Sequence, residues 1–325
     1  MLNNTESVNQ LNMVTSTGIL MISLFNFFPG TIGLILNILV FTRPILKNET
    51  CSLYFLVSTL FYLFILFIIL PVRIVSNSLN LDLAHYNLII CKLEFYSFHV
   101  VRATSIWLIV LPCIDRYFHS SFNVKLRRWS SLQLARLSIC IIILLMMILY
   151  SPIIVYFEIA NVIDQSGQMT PICNARKGMY RSFHASWHMA IHSLCPCFLM
   201  LVFGILTVKN IRQNRRISPL LTRINRHIER HRRTDRQLLR MLAVQVLVII
   251  ISTIPSSIVR LYSSFTESIM KDAFRIAQEN LSAQIANSLS YFAYSSSFYL
   301  YTLTGSFFRK ELIKTITYCL NYRQR

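Results

Sequence analysis

Residues 91–117 read CKLEFYSFHVVRATSIWLIVLPCIDRY, and the fold turns on whether this stretch crosses a lipid bilayer. Its first half carries Lys92, Glu94, His99 and Arg102, and its second half is mostly apolar up to Asp115-Arg116-Tyr117. A helix crosses the hydrocarbon core with about 20 mostly apolar residues. Six other stretches meet that requirement more cleanly, at 17–42, 52–75, 137–159, 183–208, 240–262 and 283–304. With 90–114 as the third span the chain makes seven crossings. Without it, the loops on either side would fall on the wrong sides of the charge distribution.

The whole chain agrees with a membrane solvent. Of 325 residues, 54% are hydrophobic and only 14% charged, against about a quarter charged in soluble proteins. With 7 Gly, 9 Pro and 8 Cys, collagen-like, disordered and disulfide-scaffold classes are excluded.

The formal net charge is +19, and its placement decides its meaning. Seven spans starting outside put Arg43 and Lys47 in the first inner loop. Arg116, Lys125, Arg127, Arg128 and Arg136 fall in the second, eleven basic residues in 209–240, and Arg309, Lys310, Lys314, Arg323 and Arg325 in the tail. That side holds 23 of the 32 basic residues but five of the 13 acidic ones. Such one-sidedness follows the positive-inside rule for an outer amino terminus and a cytosolic carboxyl terminus, and it removes the reason to expect a nucleic-acid partner. Residues 1–16 form a short outer tail without Lys or Arg and without a cleavable-signal layout. Asn3 and Asn280 open sequons on the outer side, while the sequon at Asn48 falls inside.

Cys91, at the outer end of the third span, and Cys173, in the loop after the fourth, both face the oxidising side, where a disulfide can persist. At the inner end, Asp115-Arg116-Tyr117 begins 24 residues after Cys91, roughly 36 Å of helix. An outer cysteine anchor and an inner acid-base-aromatic triplet on one spanning helix resemble the rhodopsin-like (class A) family of G-protein-coupled receptors. Asn37, Pro152, Pro196, Pro255 and Tyr301 match family positions in the first, fourth, fifth, sixth and seventh helices. Phe307 then opens a segment in which Phe308, Leu312 and Ile316 recur at helical spacing, like the family's short amphipathic helix on the membrane surface. The resemblance implies an all-α integral membrane fold, a seven-transmembrane helix bundle over 17–304 with an amphipathic helix and cytosolic tail over 305–325. It implies a plasma-membrane location, an extracellular ligand, a heterotrimeric G protein as partner, and no cofactor.

The departures are equally definite. Leu60-Phe61-Tyr62 stands where the second helix usually has Asp, Ser252-Thr253-Ile254-Pro255 replaces Cys-Trp-x-Pro, and Ser297-Phe298-Tyr299-Leu300-Tyr301 replaces Asn-Pro-x-x-Tyr. The fourth span has no Trp, and Gly204 stands where a Tyr often sits. Within the family, Ser52-Leu53-Tyr54-Phe55-Leu56 and Ser297-Phe298-Tyr299 are similar to invertebrate receptors for FMRFamide-type neuropeptides. A chemosensory receptor for small environmental molecules is the alternative, since such departures suit a fast-diverging sensory family.

Ionisable residues inside spans are expensive and face cavities or one another. Arg73, Glu94, His99, Arg102 and Arg260 are therefore candidate ligand contacts, with Phe98 and Asn287 beside them. Arg73 and Arg260 could instead snorkel to headgroups, an escape that Arg102, three turns inside Cys91, lacks. His184, His188 and His192 form an i, i+4, i+8 stripe with three readings: ligand contacts, polar packing between helices, or a zinc site. At the inner end, Asp115, Arg116, Tyr117, Asp235 and Tyr301 are the switch candidates, with Asp235 placed 20 residues before Pro255 to latch Arg116. The basic 209–240 segment extends helices five and six, either as a solvated basic face or as a G-protein docking surface. Cys319 is a palmitoylation candidate.

Other classes lack their chemistry. Residues 281–309 contain no Lys for a retinal Schiff base, and no span has a mid-bilayer Asp or Glu. No Gly-x-Ser-x-Gly, His-Glu-x-x-His or P-loop occurs. The topology predicts that cysteines introduced within 209–240 resist a membrane-impermeant maleimide in intact cells and react after permeabilisation. Labelling of intact cells would overturn it.

Overall fold

The computed structural model describes residues 2–47, 49–79, 83–163, 169–217, 226–266, 269 and 271–323. Among the described residues, six helices are each long and apolar enough to cross a membrane. They lie within or across α1 (Leu2–Phe41), α2 (Thr50–Ser76), α3 (Leu88–Ser120), α4 (Leu132–Tyr156), α5 (Met179–Gln213) and α6 (Arg226–Phe265). The seventh, α7, runs Ala273–Ser295 and resumes after Ser296 as Ser297–Thr304. It is less apolar than the others, because Gln278, Glu279, Asn280, Gln284 and Asn287 stand in its first half and serines replace aliphatic residues further on. Ser288, Ser290, Ser295, Ser296 and Ser297 are all buried against neighbours, not turned to lipid. The last helix, α8 (Ser306–Arg323), buries Phe308 and Leu312.

Three features add to the sequence expectation. The outer tail expected over 1–16 is helical from Leu2 and continuous with the first span, since no Pro precedes Pro29. The all-α bundle carries one short hairpin. The fourth span ends at Tyr156, and β1 (Phe157–Ile163) pairs antiparallel with β2 (Met169–Ala175). The hairpin's β-branched residues, Ile159, Val162 and Ile163, favour extended backbone. Finally, α2 and α5 each contain a π-turn, at Ile65–Ile69 and Met189–Leu194.

Helix α3 packs against α2, α4, α5 and α6, while α7 packs against α1 and α6. Helices α1 and α7 approach closely. A Cβ on Gly30 would stand 2.5 Å from the Ser295 Cβ and 2.8 Å from Leu66 Cδ1. Polar bonds lock the same pair: Ser295 Oγ donates to Asn26 Oδ1 at 3.0 Å, Tyr299 Oη to the Pro29 carbonyl at 3.0 Å, and Asn37 Nδ2 to Ser297 Oγ at 3.3 Å. Trp107 of α3 donates to the Ile191 carbonyl inside the widened turn of α5, at 2.9 Å.

Disulfide Cys91–Cys173 ties β2 to the first turn of α3, with Cα atoms 5.7 Å apart. At this end, Lys271 and Arg275 both pair with Glu279, and Arg275 Nη2 donates to Tyr262 Oη at 2.8 Å, clipping α6 to α7. Partial burial works to raise the Glu279 pKa, but its two cationic partners outweigh that and hold it below the usual carboxylate range. At the opposite end, Phe41, Phe55, Tyr301 and Phe308 form one ring cluster joining α1, α2, α7 and α8.

Gly30→Leu forces overpacking where backbones touch. It should cost about 2 kcal/mol and lower the thermal midpoint of the purified protein; an unchanged midpoint would contradict the α1–α7 contact.

Candidate functional site

The structure gathers most of the ionisable span residues into one cluster beneath the hairpin. His99, on α3, is 1% exposed, and its Nδ1 lies 2.7 Å from the Phe95 carbonyl. A carbonyl only accepts, so Nδ1 carries the proton and Nε2 of the neutral ring is the acceptor. Two donors converge on it: Arg260 Nη1 from α6 and His184 Nε2 from α5, each at 3.3 Å. His188 meets His99 edge-on at 5.2 Å between centroids and stacks on His192 at 4.6 Å. Both ring nitrogens of His188 and of His192 are buried without a hydrogen-bond partner.

One turn along α3 from His99, Arg102 is 1% exposed. Its guanidinium lies over the Phe98 ring at 4.9 Å and the Tyr291 ring at 5.6 Å, a cation–π arrangement. Phe98 also receives Arg73 at 5.0 Å. Arg73 of α2 pairs with Glu94 of α3 at 3.1 Å, so this arginine turns to a carboxylate. Arg260 likewise points at His99, not at headgroups. Asn287 stands apart from the histidines, in a narrow cleft beside Leu70, Arg73 and Tyr291.

Sequence reasoning missed Tyr150, Phe157 and Tyr291. Tyr150 of α4 packs on His99 at 5.8 Å with its hydroxyl buried and unpartnered, and Phe157 of β1 covers His184 at 5.4 Å. In the sequence they are ordinary aromatic residues at helix ends, and no signal distinguishes them from lipid-facing ones. Among the described residues, no His, Cys, Asp and Glu side chains group in a way that could hold a metal.

The opposite end carries a second arrangement. Asp115, 5% exposed, accepts from Thr50 Oγ1 of α2 at 2.7 Å and from Ser130 Oγ at 2.8 Å. Arg116 Nε lies 3.8 Å from the same carboxylate. Tyr117 packs on Phe203 of α5 at 5.5 Å. Arg116 lines a mostly apolar cavity of about 800 Å³ with Met200, Gly204 and Val208 of α5 and Leu242 and Val246 of α6. Tyr301 is fully buried, and its hydroxyl has no hydrogen-bond partner.

Asp235 lies on α6, Asn3 on α1 and Cys319 on α8, but their side chains fall outside the described residues. Asn280 is exposed on α7, within a helix and not in a loop. Where the family's second helix usually has its Asp, buried Tyr62 stacks near Tyr294 at 5.1 Å and meets Gln245 Nε2 at 3.5 Å.

A family model described as 7 transmembrane receptor (rhodopsin family) matches residues 33–300, and the chain belongs to that family. No curated protein matches it.

A buried hydroxyl without a partner costs roughly 1–3 kcal/mol. Tyr301→Phe should therefore raise the thermal midpoint of the purified resting protein, by the equivalent of about 1 kcal/mol. A lower midpoint would mean that the hydroxyl is bonded in the resting state.

Proposed function

We propose that this rhodopsin-family receptor binds an extracellular neuropeptide beneath the β1–β2 hairpin and activates a heterotrimeric G protein at the opposite end of the bundle. The amino terminus and the disulfide lie outside the cell, and the carboxyl terminus and residues 209–240 inside. The observation that carries this reading is the double loading of α3. His99 and Arg102 near one end and Asp115 and Arg116 at the other stand on one continuous helix. From Arg102 to Arg116 the rise is about 21 Å, so a load at one end reaches the other through a single packed rod.

A ligand acts here by favouring one of two arrangements of the bundle. The cavity beside Arg116 supports the direction of the change, because α5 and α6 already leave room there for side chains of a partner. Asp115 holds Arg116 against α2 through Thr50, and Asp235 of α6 supplies the latch that closes the resting state. Opening frees Arg116 toward the partner. The basic loop between α5 and α6 supplies the charge that docks an acidic G-protein face, and palmitoylation at Cys319 anchors α8. Peptide over small-molecule ligands is supported by the number of polar groups contributed by α2, α3, α5 and α6.

The latch predicts that Asp235→Ala raises ligand-free signalling several-fold over wild type at matched surface expression, read by G-protein dissociation in cells. Basal output equal to wild type removes the latch. A panel of amidated peptides, run beside small organic compounds in the same cells, decides the ligand class; response only to the latter replaces the neuropeptide reading with the chemosensory one.

A further inference from the structure

We propose that the ligand is anionic: it brings a carboxylate, sulfate or phosphate group that sits between Arg102 and Arg260. This rests on the receptor reading for its biological meaning, but the site itself follows from charge balance. A guanidinium does not lose its proton in a protein, and a buried charge without a counter-charge is strongly unfavourable. Arg102 is buried to 1% exposure, and its Nε has no acceptor. Its contacts are the aromatic faces of Phe98 and Tyr291 and the neutral hydroxyl of Tyr294, none of which carries a counter-charge. Arg260, partly buried, donates to a neutral imidazole at 3.3 Å. None of the ion pairs among the described residues includes either arginine. The nearby carboxylate, Glu94, is engaged by Arg73 at 3.1 Å.

The neighbours make the site rich in donors as well as positively charged. His188 and His192 have no partner on either nitrogen, and the Tyr150 hydroxyl is also unpartnered. A neutral imidazole can present an N–H to an anionic oxygen without adding charge. A divalent cation is disfavoured by the same surroundings, since two guanidinium groups flank the histidines. An anionic oxygen group meets every requirement at once. It brings negative charge to both arginines, one unit from a carboxylate or sulfate ester and up to about two from a phosphate, accepts from either in the bidentate geometry that guanidinium favours, and gives the buried histidines an acceptor. For a peptide with an amidated end, the charge must come from an acidic or sulfated side chain, because the capped terminus carries none.

The test uses the full-length chain in lipid nanodiscs. Thermal midpoints are compared in sodium chloride, sulfate, phosphate, acetate and succinate at equal pH and ionic strength, for wild type, Arg260→Gln and the Arg102→Gln/Arg260→Gln double variant. Sulfate and phosphate stabilise folded proteins in general by exclusion from their surfaces, so only the difference between wild type and variant counts. Ligand linkage predicts a rise of about 3 °C or more in wild type above the double variant for at least one anion, with Arg260→Gln in between. Equal shifts in all three proteins, meaning an adventitious ion only, or no shift with any anion, overturn the proposal. A larger wild-type shift with acetate or succinate assigns a carboxylate, and a larger one with sulfate or phosphate assigns those esters; both support the site. G-protein nucleotide exchange measured on the same nanodiscs separates the two claims. Exchange by the wild type or by the unlatched Asp235→Ala variant without an anion shift leaves the receptor reading and removes this one, and an anion shift without exchange by either protein does the reverse.

Discussion

Inside a bilayer every polar group must find its partner within the protein, because hydrocarbon offers none. This constraint sorts the helices. In the most apolar stretch of α3, 78% of residues are buried inside the bundle, against 28% for α1, α4 and α5. A helix with little surface toward lipid need not be apolar. His99 and Arg102, both almost fully buried, can therefore sit on α3 at a depth where the same residues on α4 would be ruinous, and α7 uses the same shelter for its serines.

Serine supplies much of the interior wiring. Ser193 of α5 meets Ser257 and the Thr253 carbonyl of α6, and Ser290 of α7 meets Ser256 and the Ser252 carbonyl. With Asn37–Ser297 and Asn26–Ser295, these bonds link α5, α6, α7 and α1 in a chain. The family's usual helix-two carboxylate, helix-six Trp and helix-seven Asn-Pro are missing here. Small hydroxyls and the Tyr62, Tyr294 and Gln245 contact occupy that interior instead. Hydroxyl contacts of this kind are weak singly, so an arrangement built from many of them can be exchanged for another without breaking any one strong bond.

The spans and the surface helix were legible in the sequence because each is an apolar stretch or a periodic pattern. The disulfide and Asp115-Arg116 were legible as motifs at fixed spacing. The hairpin was hidden by its own apolar residues, which read as the end of the fourth span. The π-turns left no mark, since an inserted residue does not alter composition. In the candidate site, Arg102 stood out as a charge without an escape, and the histidines as a stripe. That His99 accepts from both Arg260 and His184 could not be read, because it depends on how three helices are rotated about their axes. Tyr150 and Phe157 were invisible for the same reason, and Asn287 lies beside Arg73 and Tyr291, apart from the histidines.

The π-turn in α5 has a further meaning. A π-turn takes up one residue more than a regular turn and so changes the rotational phase of the helix beyond it. Here it spans Met189–Leu194, with His184 and His188 before it and Met200, Gly204 and Val208 after it. The two ends of α5 are thus phased independently, like two screws cut on one shaft with a slipped thread between them. On the proposed function, changes at the histidine end and at the cavity end can then vary separately, provided that Trp107 keeps its grip on the slipped turn.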